Sequence, residues 1–494
     1  MTSTTSELTA ATARRTRRRL SLPALAAVLG LAAAVVSFLG SWTPSFWGDE
    51  AASIMSAERP LATLWPELGR VDAVHGTYYV FLHLWIDVFG ASELSVRLPS
   101  ALAVGFAVAG VVVLATRLFS LRVAVVAGIV MAVLPRTTAM GDEGRSYAIG
   151  TAVAVWLTVL LVRLVAARST RVLPWIVYGV GFALAVYVFL YLILLAGAHL
   201  VYLVLNRPSR RMLTRWAIAI VLGITLSAPL LVFALSEHGQ ISFLSHRHYM
   251  TFERLAVLQW FGNRPLALVG WVLVIAGIVL GLRTVARRRQ TALIATWMLL
   301  PPVVLFVGNS LIAPMYSIRY LSFCTPAVAI LVALAVAALP WSWARLGAVL
   351  LIVVLAAPTW AAQRGPYAKD GGSDLRQTAA VVAAHAHPGD AIVFDQTARN
   401  SRKPRLALHL YPQDFRGLLD PGLITPYQHT AGLWDVVGAA RASSLAGVHT
   451  VWAVEQSAEP APADIRHLQG FGYAVTRAFP VHRTTVYELT LEIS

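Results

Sequence analysis

Long apolar stretches separated by short polar ones run through the first 360 or so residues of this chain. Each approaches the ~20 residues with which an α-helix crosses a hydrocarbon core about 30 Å thick. The pattern predicts about eleven spans, near 20–40, 97–117, 121–135, 147–165, 172–189, 190–206, 213–235, 265–282, 291–311, 320–339 and 343–361. The first follows "ATARRTRRR" and outruns the ~7–15 residues of a signal-peptide core, which favours an uncleaved span over a cleaved leader. The loop 41–96 is too long and too apolar to be a simple connector. In it, "LATLWPELGRV" places Leu61, Leu64, Trp65 and Leu68 at helical spacing on one face, with Pro66 expected to bend or restart the helix. "TYYVFLHLWIDVF" is apolar but too short to span. Both predict helices lying in the membrane interface.

From residue 362 the pattern changes. "GGSDLRQTAAVVAAHAHPGDAIVFD" reads as a helix capped by Ser373, a Pro388-Gly389 turn and a strand. "LALHLYP", "VHTVWAV" and "TTVYELTLE" read as further strands. The expected architecture is a polytopic α-helical membrane protein with a basic N-terminus (1–19), a transmembrane domain (20–361) and a small α/β domain (362–494).

Composition agrees with that picture: 57% of residues are hydrophobic and 13% charged, well below the ~25% charged of soluble domains. The net charge of +16 raises nucleic acid as a partner. The basic residues, however, recur as short clusters between apolar runs, with no aromatic-basic binding module. That is the signature of positive-inside topology, and nucleic acid is not expected. "RRTRRR", "RLFSLR", "RLVAARSTR", "NRPSRR", "RTVARRRQ" and "WSWARL" then face the cytoplasm. The acids of the membrane region fall in the opposite loops: those from Asp49 to Glu93, then Asp142, Glu143, Glu237 and Glu253. Eleven spans put the 362–494 domain outside, with the N-terminus in the cytoplasm. The lone cysteine, Cys324, excludes an intrachain disulfide and a cysteine-based metal site.

Candidate chemistry lies on the acidic side. "SFWGDEAASI" puts Asp49 and Glu50 where the first span ends and a helix starts. Asp49 can cap that helix, and Glu50 can favour its positive end. Alternatively, Asp49 is an ionised base at the bilayer surface, where a lipid-borne and a water-soluble reactant can meet. "VDAVHGTYY" adds Asp72, His75 and Tyr78 in the same loop. "MGDEGRSYA" supplies a second acidic pair, Asp142 and Glu143, with Arg145 and Tyr147. "APMYSIRYLSF" places Arg319 and Tyr320 at the outer start of the tenth span, where a guanidinium can grip a phosphate bidentately or serve as an interfacial anchor. "SHRHYMTFER" offers His246, Arg247 and His248, a weak metal signal without a third neighbour.

These motifs together resemble the GT-C superfamily of membrane glycosyltransferases, in the branch of protein O-mannosyltransferases and aminoarabinose transferases. The resemblance is carried by "WGDEAASI", "DAVHGTYYVFLHLW", "ELSVRLPSALA", "GDEGRSYAIG" and "IRYL", in that order across residues 20–340. It implies a polyprenyl-phosphate sugar as donor and transfer outside the cytoplasm to a hydroxyl of a glycan, glycolipid or protein, with membrane lipid around the site. Asp49 matches the family's catalytic aspartate and Glu50 its neighbour. Glu143 matches the second-loop carboxylate, with Arg145 and Tyr147 alongside, and Arg145 and Arg319 are the cations expected to meet the donor phosphate, with Tyr147 and Tyr320 beside them. Asp72, His75 and Tyr78 fall where acceptor contacts are expected. In some relatives a divalent ion accompanies the second-loop acid, which here points to Glu143 and Asp142. The chain departs from the family's His-Pro-Pro pattern, with Gly76 and Thr77 after His75. Mannose is the expected sugar. The rival reading is a transporter or flippase of lipid-linked sugars without transferase activity.

Overall fold

The computed structural model describes residues 21–236, 250–312, 315–457 and 462–492. The basic N-terminus, Glu237, and the His246, Arg247 and His248 group lie outside the described residues.

The chain is mostly helical. In order come α1 (Leu22–Phe38), α2 (Gly48–Ala57), α3 (Leu61–Leu68), α4 (Gly76–Phe89), α5 (Glu93–Leu118), α6 (Leu121–Val133), α7 (Pro135–Gly141), α8 (Tyr147–Ala166), α9 (Val172–Val188), α10 (Leu195–Leu205), α11 (Arg210–Ser236), α12 (Arg264–Arg283), α13 (Arg288–Leu311), α14 (Thr325–Ala338) and α15 (Ser342–Ala362). Among the described residues, seven helices are long and apolar enough to cross a membrane, or eight if the α6–α7 pair, bent by 61°, is one span. Three shorter apolar helices, Leu22–Phe38, Val172–Val188 and Leu190–Leu205, occupy the remaining expected positions. The protein is thus a multi-pass membrane protein.

Helix starts follow local chemistry. Ser92 and Ser120 accept the backbone N–H of Ser95 and Val123 at the heads of α5 and α6, satisfying donors the helix itself cannot pair. The bend between α6 and α7 falls at Pro135, which has no N–H to continue the ladder. The helices α1 and α5 cross at Gly30 and Gly105, where a Cβ on either would lie 2.6–2.7 Å from the other's carbonyl oxygen. This close approach brings the end of α1 beside the start of α5, and so brings the 41–50 segment to Arg97.

The first loop forms the two expected short helices, with one correction. The face expected to unite Leu61, Leu64, Trp65 and Leu68 is split: Leu64 and Leu68 are buried, whereas Leu61 and Trp65 are exposed. Pro66 sits inside α3 without ending it. In α4, Tyr78, Tyr79 and Leu82 face inward, while Phe81, Leu84 and Val88 form an exposed apolar stripe.

The remainder, α16 (Leu375–His385), β1 (Ala391–Phe394), α17 (Leu406–Leu410), β2 (Leu423–Thr425), β3 (Val436–Val437), β4 (Thr450–Gln456), α18 (Ala463–Gln469), β5 (Tyr473–Pro480) and β6 (Thr484–Leu491), makes a four-stranded sheet in the order β1-β4-β6-β5. The strands β1 and β4 run parallel and the other pairs antiparallel. The helix α16 covers one face, with Leu375, Ala379 and Val382 against Trp452 and Val486. The helix α18 covers the other, through Ile465 and Leu468. Two expectations are corrected. "LALHLYP" is helical, not a strand, because Leu406, Ala407 and Leu410 go inward at helical spacing. The N-cap of α16 is Asp374, while Ser373 donates its hydroxyl to the Phe46 carbonyl at 2.7 Å.

This domain is tied to the first loop. Arg376 donates to Glu93 and to the carbonyls of Thr43 and Trp42, and Tyr411 donates to Glu93. Arg59 donates to the Thr430 and Gly432 carbonyls. At Gly48 the approach is closest: an added Cβ would lie 2.0 Å from the Ser401 carbonyl oxygen. Gly48→Ala is therefore expected to destabilise the chain by about 1–3 kcal/mol, the usual cost of overpacking, measured as an earlier thermal transition in detergent. It should also lower activity, because Asp49 is the next residue.

Candidate active site

The helix α2 begins after Trp47, whose backbone is extended and whose side chain makes no cap bond. Asp49 and Glu50 thus occupy the first turn rather than the cap, where the helix dipole favours a negative charge. Being adjacent, they point in different directions, and this separates their roles.

Glu50 is fully buried. Its carboxylate takes Nε and Nη2 of Arg97 at 2.8 and 2.6 Å, and Gly144 donates its N–H at 2.9 Å. Arg97 in turn donates to the carbonyls of Ser41, Pro44 and Ser45. Burial alone would raise the Glu50 pKa; Arg97 outweighs it and holds the group below the usual carboxylate range. Expected as a catalytic partner of Asp49, Glu50 is instead a clamp joining α2, α5 and the α7–α8 turn, with both oxygens taken by protein.

Asp49 is 26% exposed and accepts from Arg319 Nη1 at 2.6 Å; Arg319 is 28% exposed. The same nitrogen lies 3.2 Å from Glu143 Oε1. The Arg319 guanidinium sits 4.6 Å from the Trp47 ring centroid and 5.8 Å from that of Tyr147, within cation–π range. Burial opposes ionisation of Asp49, but Arg319 and Arg145 prevail and keep its pKa below normal. Asp49, Glu143, Arg319 and Tyr147, distant in sequence, are thus brought together. Tyr320 joins a wall of rings with Tyr147, Phe189 and Tyr191 at centroid distances of 5.3–6.5 Å.

The other expected residues take supporting places. Arg145, expected at a phosphate, is buried and donates to the Asp49 carbonyl (3.2 Å), Ser53 Oγ (3.0 Å) and Tyr79 Oη (3.3 Å), with His75 Nε2 at 3.1 Å. Tyr79 in turn donates its hydroxyl hydrogen bond to Asp72 at 2.8 Å. Asp72 and His75 therefore stand behind Arg145, and Tyr78, expected at the acceptor, is buried on the inner face of α4. Asp142 and Glu143 turn to different cations. Asp142 is buried against Lys369 (3.2 Å) and Arg364 (4.0 Å), and burial raises its pKa despite them. Among the described residues no three His, Cys, Asp or Glu side chains gather as a metal-holding cluster, so the expected Asp142–Glu143 pairing at a metal is not the arrangement formed.

His75 faces a guanidinium, so its Nε2 acts as acceptor and the ring is neutral. Burial first, and Arg145 second, press its pKa down to about 4 from the ordinary 6.5, against the pull of Asp72 and Asp49. A folded pKa below the unfolded one gives stability that is fully present above pH 6.5 and lost as pH falls toward 4. His75→Gln should flatten this slope, seen by comparing thermal transitions at about pH 7 and pH 5.

Sequence reasoning missed Arg97, Arg136, Gln259, Tyr316 and Lys369. Arg136, at the α6–α7 bend, donates to the Gln259 carbonyl at 3.2 Å. The Gln259 side chain donates to the Ile318 carbonyl and accepts from Tyr316, holding the stretch that carries Arg319. A lone Arg97 near the head of a 26-residue apolar helix was the one signal available, since an arginine at membrane depth needs a partner.

The model of the dolichyl-phosphate-mannose-protein mannosyltransferase family matches residues 77–233, about a third of the chain. That stretch includes Glu143 and Arg145 but begins after Asp49. No curated protein sequence matches. Among solved structures, ArnT from Cupriavidus metallidurans bound to undecaprenyl phosphate superposes with a TM-score of 0.57 at 15% identity, covering 93% of this chain and 97% of that one. The apo form of ArnT gives the same values. The Archaeoglobus fulgidus oligosaccharyltransferase in complex with Zn and sulfate superposes at 0.50 with 10% identity, over 94% of this chain and 72% of that one. The fold is thus shared with ArnT. Within it the Asp49–Arg319–Glu143 group sits where α2, the α7–α8 turn and the segment before α14 converge.

Proposed function

We propose that the chain is a glycosyltransferase that moves a sugar, mannose first among the choices, from a polyprenyl-phosphate donor to a hydroxyl on an acceptor of the cell envelope outside the cytoplasm. The observation that carries this reading is the half-open Asp49–Arg319–Glu143 group: one carboxylate and one guanidinium partly exposed in a site otherwise closed by protein. The family match and the ArnT-like fold support the reaction class. The rings of Trp47, Tyr147, Tyr191 and Tyr320 around this group suit a sugar ring and the head of a prenyl chain.

The chemistry is an inverting displacement. The acceptor oxygen attacks the anomeric carbon, the bond from that carbon to the phosphate oxygen breaks, and the acceptor proton passes to Asp49. Charge builds on the departing phosphate, where a preplaced cation is most effective. Arg319 meets it. Before donor arrives, Arg319 is shared between Asp49 and Glu143; a phosphate takes part of that share and leaves Asp49 more basic at the moment it is needed. Glu143 keeps Arg319 in place during the exchange. Arg145, committed to Ser53, Tyr79 and the Asp49 carbonyl, orients α2.

Membrane vesicles containing the protein, supplied with a panel of labelled polyprenyl-phosphate sugars, test the reading: label should move from lipid to an envelope acceptor, and no cleavage of any donor would overturn it. Arg319→Lys, which keeps the charge but loses the planar fork, should raise the donor KM more than it lowers kcat.

A further inference from the structure

At the far end of α8 from Asp49, about 30 Å away along a 20-residue helix, lies a cavity of about 230 Å³. Arg168, Arg207, Arg289, Ser209 and Met212 help to line it, and no lining residue is acidic. Two long helices begin there. Ser209 caps α11, accepting the Met212 N–H at 3.2 Å, and Arg289 lies in the first turn of α13. Neither helix has an acidic residue in its first turn. Arginines at a helix N-terminus add positive charge to the positive end of the dipole, an arrangement disfavoured unless an anion is present.

We propose that this cavity binds a phosphate-bearing anion, and that the anion is the headgroup of an acidic membrane phospholipid. Three guanidiniums and two helix N-termini supply charge-assisted donors of the kind that hold phosphate oxygens. The lipid source follows from the walls. Val204, Leu205 and Leu213, on the helices that flank the cavity, are exposed and apolar, and give acyl chains a continuous path from the headgroup into the bilayer. Positive-inside topology alone calls for basic residues in these loops, but not for a cavity that gathers them over two helix N-termini with no acidic residue in their first turns. A lipid held here would pin the ends of α8, α10, α11 and α13 together, on the opposite membrane face from the site and independently of the transfer reaction.

The test uses the full-length protein in phosphatidylcholine nanodiscs with increasing phosphatidylglycerol, and native mass spectrometry to count retained lipid. One phosphatidylglycerol per chain is expected. The Arg207→Gln/Arg289→Gln double variant should weaken retention by about tenfold or more, while Arg283→Gln, outside the cavity lining, should not. Equal retention by the double variant and the wild type would overturn the site. Soluble glycerol phosphate at the same concentration should fail to displace the lipid; displacement would overturn the lipid assignment, since the phosphate alone would then account for binding. Should the double variant not fold, the wild type decides. Phosphatidylglycerol retention should fall as salt rises from about 0.1 to 0.5 M, with phosphatidylcholine unaffected, and salt-independent retention would also overturn the proposal.

Discussion

Asp49→Asn should lower sugar transfer by at least about a hundredfold, the typical contribution of a positioned general base, while leaving the thermal transition of the protein nearly unchanged. The asparagine keeps the size of the side chain and an oxygen for Arg319, but has no charge and no basicity. Folding should survive because the Asp49 side chain is partly exposed and Arg319 retains Glu143. Initial rates with a labelled lipid donor, alongside unfolding curves in the same detergent, measure both halves of the expectation.

The neighbouring carboxylate should behave in the opposite way. Glu50→Ala leaves Arg97 as an unpaired charge in a fully buried site and strips the Gly144 N–H of its acceptor. Removing one partner of such a pair costs about 3–5 kcal/mol, so the expected result is a large fall in the thermal transition or loss of folded protein, with activity lost in proportion. Replacing the other partner should do no better, because Arg97 also satisfies the carbonyls of Ser41, Pro44 and Ser45. Two adjacent acids thus give one variant that folds without working and one that fails to fold. If Glu50→Ala proved as stable as the wild type, the clamp would be refuted.

The contrast shows what the sequence could and could not reveal. Spans were legible because apolar runs of membrane length have few competing explanations. The charged residues of the site were legible for a related reason: Asp49, Glu143 and Arg319 stand at span ends, where charge in a greasy chain is conspicuous. Their pairing was not legible, since Asp49 and Arg319 are 270 residues apart and only the fold brings them together. Nor did adjacency reveal that Glu50 turns inward, because a helix sends neighbours about 100° apart and the destination depends on where Arg97 lies. The face of α3 was misjudged for want of length: over two turns, Leu61 and Trp65 form one row and Leu64 and Leu68 another, and packing chose the second. In the 362–494 domain, "LALHLYP" has the residues of a strand but buries Leu406 and Leu410 four apart, a spacing that alternation hides. Lys369 and Asp142 show a further limit, since a contact between domains leaves no local periodicity to read.

Sealed vesicles containing the purified protein, with labelled polyprenyl-phosphate mannose in the membrane and a cell-envelope fraction as acceptor, distinguish cleavage from mere passage of the lipid. The sugar–phosphate bond should break with inversion at the anomeric carbon in the wild type and persist in Asp49→Asn. Labelled lipid that crosses the bilayer intact in both proteins, with no sugar released from phosphate, would contradict the transferase reading and favour a flippase.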